Sequence, residues 1–377
     1  MIKKVLSNII VVFTILFIVS GCHGTNKTMT IKIKDIRKHG NLILDTTFEE
    51  MNAGGVEVGD IITVYIDDRG YDLPVGTSYT DVDGGEMFCR FDLEDNEVGL
   101  AANYGSFAEM TGAAEKQTIE EEPGYKWVPK VDEVKISLKE KKGFLDEYNA
   151  RNLTRTDARD DYPNLTDEEF ANFRAVSVKG IKDNILYRSS TPIEPAIGRN
   201  EYAMAAMEKA GIHTVINLDD SVDTMKNYST YPGSFYSKCA VINPEMNYEF
   251  TGKEFGEKVR QSVLFITEND GPYLIHCKEG KDRTGILCAI LEYFAGAAAD
   301  DVNRDYMTTY YNYYNVQPED AAYGIILNNN FVKTLSTLFE VDDLEKADLQ
   351  EEAEQYLRAI GLTSEQLTAL SEKIKSK

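Results

Sequence analysis

The sequence predicts an α/β fold, a mainly parallel sheet flanked by helices, preceded by a small all-β domain. Three observations carry this. From Met29 to about Ile119, short β-type runs are broken by glycine and aspartate. Beyond Leu153, short apolar runs alternate with stretches of helical period. Between the two, from Glu120 to about Asn149, the chain turns charged, with Glu120-Glu121-Glu122-Pro123-Gly124 and Lys139-Glu140-Lys141-Lys142-Gly143, which marks a domain boundary.

Residues 1–22 read as a secretion signal. Lys3 and Lys4 precede an apolar run from Val5 to Val19 that is short for a membrane span, and Ser20-Gly21-Cys22 follows. Residues 23–28 form a tether. The β-domain covers 29–120, with strands expected at Ile31–Ile36, Asn41–Asp45, Asp60–Ile66, Glu86–Phe91 and Val98–Ala102, folded as a small barrel or sandwich. Residues 121–150 are expected to connect the domains and to carry one extra strand at Val134–Leu138. In 151–377, strands near Ile185–Arg188, Thr214–Leu218, Cys239–Ile242 and Tyr273–His276 alternate with helices such as Glu201–Ala210 and Lys253–Thr267. That alternation implies parallel pairing with helices on the sheet faces. After residue 298 the pattern is nearly all helical, including Asp300–Tyr313, Asp348–Ile360 and Ser364–Lys375.

A length of 377 residues suffices for two cores, and the formal charge of -23, from 63 acidic against 40 basic residues, disfavours nucleic acid as a partner. Any anionic substrate must therefore meet a locally basic pocket. Besides Cys22, the cysteines are Cys89, Cys239, Cys277 and Cys288. Their wide spacing matches neither a zinc motif nor a disulfide scaffold, so no metal or other cofactor is expected. Cys239 and Cys288 read as buried apolar residues, with a resolving role toward an oxidised Cys277 as the alternative.

The chemistry concentrates in His276-Cys277-Lys278-Glu279-Gly280-Lys281-Asp282-Arg283-Thr284-Gly285, between an apolar strand (Pro272 to Ile275) and an apolar helix (Ile286 to Phe294). A cysteine at this distance before an arginine lets the intervening backbone curl with its N–H groups inward. The result is an anion nest at the positive end of the following helix. The same field favours a thiolate at Cys277, and Arg283 can hold two phosphoryl oxygens in a fork. Residues 278–283 are thus expected to bind phosphate.

These residues resemble the signature loop of the cysteine-dependent protein tyrosine phosphatase superfamily. The stretch from about Asn152 to Tyr314, with Ile185-Leu186-Tyr187-Arg188-Ser189-Ser190, is similar to its bacterial tyrosine and phosphoinositide phosphatase branch. The resemblance implies a cysteinyl-phosphate intermediate on Cys277, Thr284 assisting Cys277 as leaving group, His276 tuning it, and Asp282 as general acid. A Trp-Pro-Asp loop is absent, since the only tryptophan, Trp127, precedes Val128 and Pro129. Asp219 and Asp220, after the strand Thr214–Leu218, stay open as alternative acids. Arg188 is expected to brace the loop or contact substrate, with a surface ion pair as the alternative. Lys278 and Lys281 resemble phosphoinositide phosphatases, yet Glu279 and Asp282 offset their charge, so phosphotyrosine and phosphoinositide both remain as substrates while phytate is disfavoured. Tyr306, Tyr310, Tyr311, Tyr313 and Tyr314 form a wall beside the pocket or pack within a helix.

Two further resemblances complete the reading. Val19-Ser20-Gly21-Cys22 is similar to the lipobox of bacterial lipoproteins, which implies a lipid on Cys22 and anchoring outside the cytoplasm. Lys38-His39-Gly40-Asn41-Leu42, Tyr79-Thr80-Asp81-Val82 and Asn103-Tyr104-Gly105-Ser106-Phe107-Ala108 resemble the C-terminal β-domain of the SAM hydroxide adenosyltransferases, implying its fold and not its activity. The competing functions are a catalytically silent phosphatase fold serving as a ligand-binding module and a redox thiol protein. The oligomeric state is not legible.

Overall fold

The computed structural model describes residues 28–120 and 124–376. The signal segment and Cys22 lie outside the described residues. The chain divides at Phe144/Leu145 into two compact units.

In the first unit, β1 (Met29–Ile36), β2 (Leu42–Leu44), β3 (Ile61–Ile66), β4 (Arg69–Gly76), β5 (Met87–Asp92), β6 (Glu97–Ala102) and β9 (Glu133–Glu140) close a barrel in the order β1-β2-β6-β5-β4-β3-β9. A separate hairpin comprises β7 (Ala114–Thr118) and β8 (Tyr125–Pro129). Alternation places Ile62, Val64 and Ile66 of β3 and Val134 and Ile136 of β9 in the barrel core. Asp67 and Asn96, both at positive φ, turn β3 into β4 and β5 into β6, residues that tolerate the left-handed region better than most.

The strand expected in the connecting segment is instead part of the barrel. β9 pairs with both β1 and β3 and closes the seam. The charged run that suggested a linker is engaged within the barrel unit: Lys139 pairs with the exposed Asp72 at 2.5 Å and Lys141 with the buried Asp60 at 3.0 Å.

The second unit holds a sheet of β10 (Arg174–Ala175), β11 (Leu186–Ser189), β12 (Thr214–Asn217), β13 (Ala240–Ile242) and β14 (Tyr273–His276), ordered β10-β11-β14-β12-β13. The β11·β14, β14·β12 and β12·β13 pairs are parallel, and β10·β11 is antiparallel. Every residue of β14 is buried, as a central strand covered on both faces requires. Helices Asn200–Lys209 and Lys253–Glu268 connect successive strands, and Asp282–Ala295 leaves the loop after β14. That last helix is buried from Arg283 to Ala295, with Leu349–Ala359 packed against it. Ser189, His276 and Asn217 stand in register at the carboxyl ends of β11, β14 and β12, so the loops that follow converge there.

Candidate active site

The loop from Cys277 to Lys281 joins β14 to the helix beginning at Asp282, and its carbonyls are all held from outside. The Cys277 carbonyl accepts from His276 Nδ1 (3.3 Å) and that of Lys278 from Thr191 N–H (3.1 Å). The Glu279 carbonyl accepts from Asn172 Nδ2 and Tyr313 O–H, both at 3.0 Å, and that of Gly280 from Arg188 Nη2 (2.9 Å). The Lys281 carbonyl accepts from Gly285 N–H (2.8 Å). Among the described residues, no protein acceptor takes the backbone N–H of Lys278 through Arg283. With carbonyls fixed outward, these N–H groups form the nest that an oxyanion fits. Gly280 is required for this curl: φ is +67°, and a Cβ there would lie 2.1 Å from the Ser189 carbonyl oxygen.

The nucleophile candidate Cys277 is recessed, with 3% of its surface exposed. The hydroxyl of Thr284, in the first helical turn, is buried without a hydrogen-bond partner. Arg283 gives Nη1 to Asp219 Oδ1 (2.6 Å) and to the Met246 carbonyl (3.2 Å), and Nη2 to the Tyr248 hydroxyl (3.1 Å). Its Nε is buried and unpartnered. The Nε–H and one Nη2–H are thus unoccupied, enough for a two-point contact with an oxyanion.

Asp282 keeps 30% of its side-chain surface open, and its ion pair with Lys281 is long, 3.7 Å. Burial pushes its carboxyl above the usual aspartate value; Lys281 opposes the rise and Glu279 adds to it. Asp219 is committed to the Arg283 guanidinium. Asp220 is buried and accepts from Tyr228 O–H (2.8 Å) and Asn217 Nδ2 (3.1 Å). Of the three acids, Asp282 is the most exposed and the one not committed to Arg283 or to buried hydrogen-bond donors.

Burial lowers the His276 imidazole to about pKa 4. The Cys277 carbonyl can only accept, so Nδ1 carries the proton, and Nε2 accepts from Tyr236 O–H at 2.8 Å. Arg188, 1% exposed, is no surface ion pair: besides Gly280 it reaches the Lys281 carbonyl (3.4 Å) and pairs with Asp305. Asp305 also receives Arg174 Nε at 2.7 Å. Beside them lies Glu292, 1% exposed, whose carboxyl oxygens meet no donor. Burial, with Asp305 adding, raises Glu292 well above the usual range. With Glu292 protonated, two arginines face one aspartate, so the cluster holding the loop carries a net positive charge that favours a bound anion.

The other loop cations are individually countered. Lys278 pairs with Glu194 at 2.7 Å and Lys281 with Glu279 at 3.3 Å, while Arg155 also engages Glu279. Tyr306, Tyr310 and Tyr313 are buried; Tyr311 and Tyr314 are half-exposed. Tyr310 and Tyr314 lie beside Lys281 Nζ, which is 5.5 and 5.6 Å from their ring centroids. Burial raises the thiol of Cys239 to about 11 and that of Cys288 higher still, which makes both poor nucleophiles. Among the described residues no group of His, Cys, Asp and Glu could hold a metal ion, and no helix is long and apolar enough to cross a membrane.

Sequence reading missed Arg155, Asn172, Arg174, Glu194, Tyr248 and Asp305. None falls in a recognisable local pattern, because each reaches the loop or the side chains that brace it from outside the motif.

A family model described as tyrosine phosphatase family matches residues 149–375, more than half of the chain. The chain belongs to that family. No match was found among curated proteins. Similar solved structures include the core catalytic domain of the PP-IP phosphatase Siw14 from S. cerevisiae in complex with citrate. It is 17% identical at a TM-score of 0.29, covering 44% of this chain and 91% of that one. Another Siw14 catalytic core is 15% identical at a TM-score of 0.27, covering 48% and 94%. A conserved protein from Thermotoga maritima is 18% identical at a TM-score of 0.24, and the match spans 29% of this chain and only 35% of that one.

Proposed function

We propose that the chain is a lipid-anchored extracytoplasmic phosphatase that hydrolyses phosphate monoesters, phosphotyrosine and in second place phosphoinositide, through a cysteinyl-phosphate intermediate. The observation that carries the reading is the loop whose carbonyls are all fixed outward around Cys277, with the N–H groups and one edge of Arg283 unoccupied.

The Cys277 thiolate attacks phosphorus; the S–P bond forms as the bond to the leaving oxygen breaks. The N–H groups and Arg283 hold the equatorial oxygens as charge spreads over them. Asp282 delivers its proton to the leaving oxygen and, as carboxylate, accepts one from the water that then attacks the phosphocysteine. Thr284, its hydroxyl otherwise unpartnered, donates toward the departing thiolate. The countered lysines support a single monoester over a densely phosphorylated ligand. Anchoring through Cys22 rests on the lipobox alone, and a shift of the protein from the membrane fraction to the soluble one on Cys22→Ser tests it.

The deciding experiment is phosphate release by protein lacking residues 1–22, with and without reductant, from phosphotyrosine peptide, phosphoserine peptide, phosphoinositide and phytate. Metal-independent release that Cys277→Ser lowers by about 10^4-fold or more is expected. No release from any substrate by folded, reduced protein would sink the enzyme reading and favour a silent ligand-binding module.

A further inference from the structure

The loop between β13 and the helix Lys253–Glu268 carries an aromatic residue that the catalytic scheme leaves without a role. Tyr248 is 64% exposed, among the most exposed large apolar side chains of the described residues. Its position is nonetheless fixed. The ring lies 4.6 Å from the Arg283 guanidinium, and its hydroxyl accepts from Arg283 Nη2 at 3.1 Å. Behind it, Phe250 meets the ring edge-on at 6.4 Å and itself packs edge-on at 5.7 Å against the buried Phe255. The loop is pinned to its neighbour as well, since Met246 N–H donates to the Leu218 carbonyl and Asn243 Nδ2 to that of Asp220, both at 2.9 Å.

Arg283, against which the ring lies, also pairs with Asp219 at 2.6 Å, so Tyr248 and Asp219 flank the same guanidinium. An exposed ring fixed against the arginine of the Cys277 loop stands at the rim of the recessed site, where the leaving group of a bound monoester would emerge. An aryl group can pack against such a ring; a short alkyl stem has too little surface to do so.

Resting on the phosphatase reading above, we propose that Tyr248 is the specificity-determining residue of this site, forming the wall that selects aryl over alkyl phosphate monoesters. Its hydroxyl has a second, separable task, holding Arg283 for every substrate alike. The two tasks divide between two substitutions: Tyr248→Phe removes only the hydrogen bond, and Tyr248→Ala removes bond and wall.

The test measures binding of phenylphosphonate and methylphosphonate, which resist hydrolysis, to the full chain in detergent, alongside turnover of phosphotyrosine and phosphoserine peptides of one sequence. In Tyr248→Ala the preference for phenyl- over methylphosphonate is expected to fall about five- to tenfold. In Tyr248→Phe both ligands weaken together and the preference stays. An unchanged preference in Tyr248→Ala overturns the proposal while wild-type turnover leaves the phosphatase reading standing. If neither phosphonate binds and no peptide releases phosphate, the phosphatase reading falls and this proposal with it.

Discussion

Asp60 in the barrel and Glu292 in the phosphatase unit are both carboxyl groups almost wholly removed from water, and the surroundings of the two differ completely. Asp60 accepts from the N–H of Glu57 at 2.7 Å, the N–H of Lys142 at 2.8 Å and Lys141 Nζ at 3.0 Å. Glu292 meets no donor and has an acid, Asp305, as neighbour. A buried carboxyl with donors ties loops together; one without them is held neutral at a cost. The barrel uses its buried acid to stabilise a fold, whereas the second unit tolerates an unfavourable one beside Arg188, which holds the Cys277 loop, and Arg174, which shares Asp305 with it. That asymmetry is expected where a site, and not only a core, shapes the choice of residues.

The largest effect that probes this difference is on turnover. Asp282→Asn should lower kcat for phosphotyrosine peptide by about 10^2- to 10^4-fold, with a smaller loss for p-nitrophenyl phosphate, whose leaving group needs less help from a proton. Because burial raises the Asp282 carboxyl, its acid form persists above the pH where a free aspartate would ionise. The wild-type kcat should therefore decline as pH rises through that folded value, and the variant should lack this limb. An equal loss for both substrates with the limb intact would move the acid role elsewhere.

Next in size is the barrel acid. Asp60→Ala leaves the part-buried backbone N–H groups of Glu57 and Lys142 without their acceptor and should cost about 1–2 kcal/mol of unfolding free energy in denaturant titration. Turnover by the folded protein should not change. A stability loss near zero would mean that water replaces the carboxylate, and that the barrel acid is no more needed than Glu292.

Local signals explain what the sequence made legible. The segment from His276 to Gly285 is contiguous, so strand, nest and helix could be placed from residue types alone, and the alternating barrel strands likewise. What stayed hidden is assembled at long range. Asn172 reaches the loop, and Arg174 its supports, from about a hundred residues upstream, and Asp305 arrives from a later helix. β9 was misjudged for a related reason: its charged neighbours pair with other residues of the barrel unit, and sequence alone shows the charges but not their partners. The burial of Arg188, which separates a loop brace from a surface ion pair, is a property of the packed sheet and has no local signature.

The smallest effect is the one whose sign is most informative. The proton affinity of Glu292 is raised on folding, so the native state binds its proton more tightly than the unfolded chain does. The stability linked to that proton is fully present below the unfolded glutamate value and is lost as pH rises through the higher folded one. Glu292→Gln keeps the shape of the protonated acid and removes the linkage. Its Tm should match the wild type near pH 4.5 and exceed it by a few degrees near pH 8. Asp60→Asn, by contrast, should lower Tm across the neutral range, because the amide offers one acceptor oxygen where three donors converge. If Glu292→Gln destabilised the protein at pH 8 as well, the buried glutamate would have to be ionised and engaged by Arg174 or Arg188. The net positive charge assigned to the cluster behind the phosphate loop would then disappear, leaving anion binding to the inward N–H groups and Arg283.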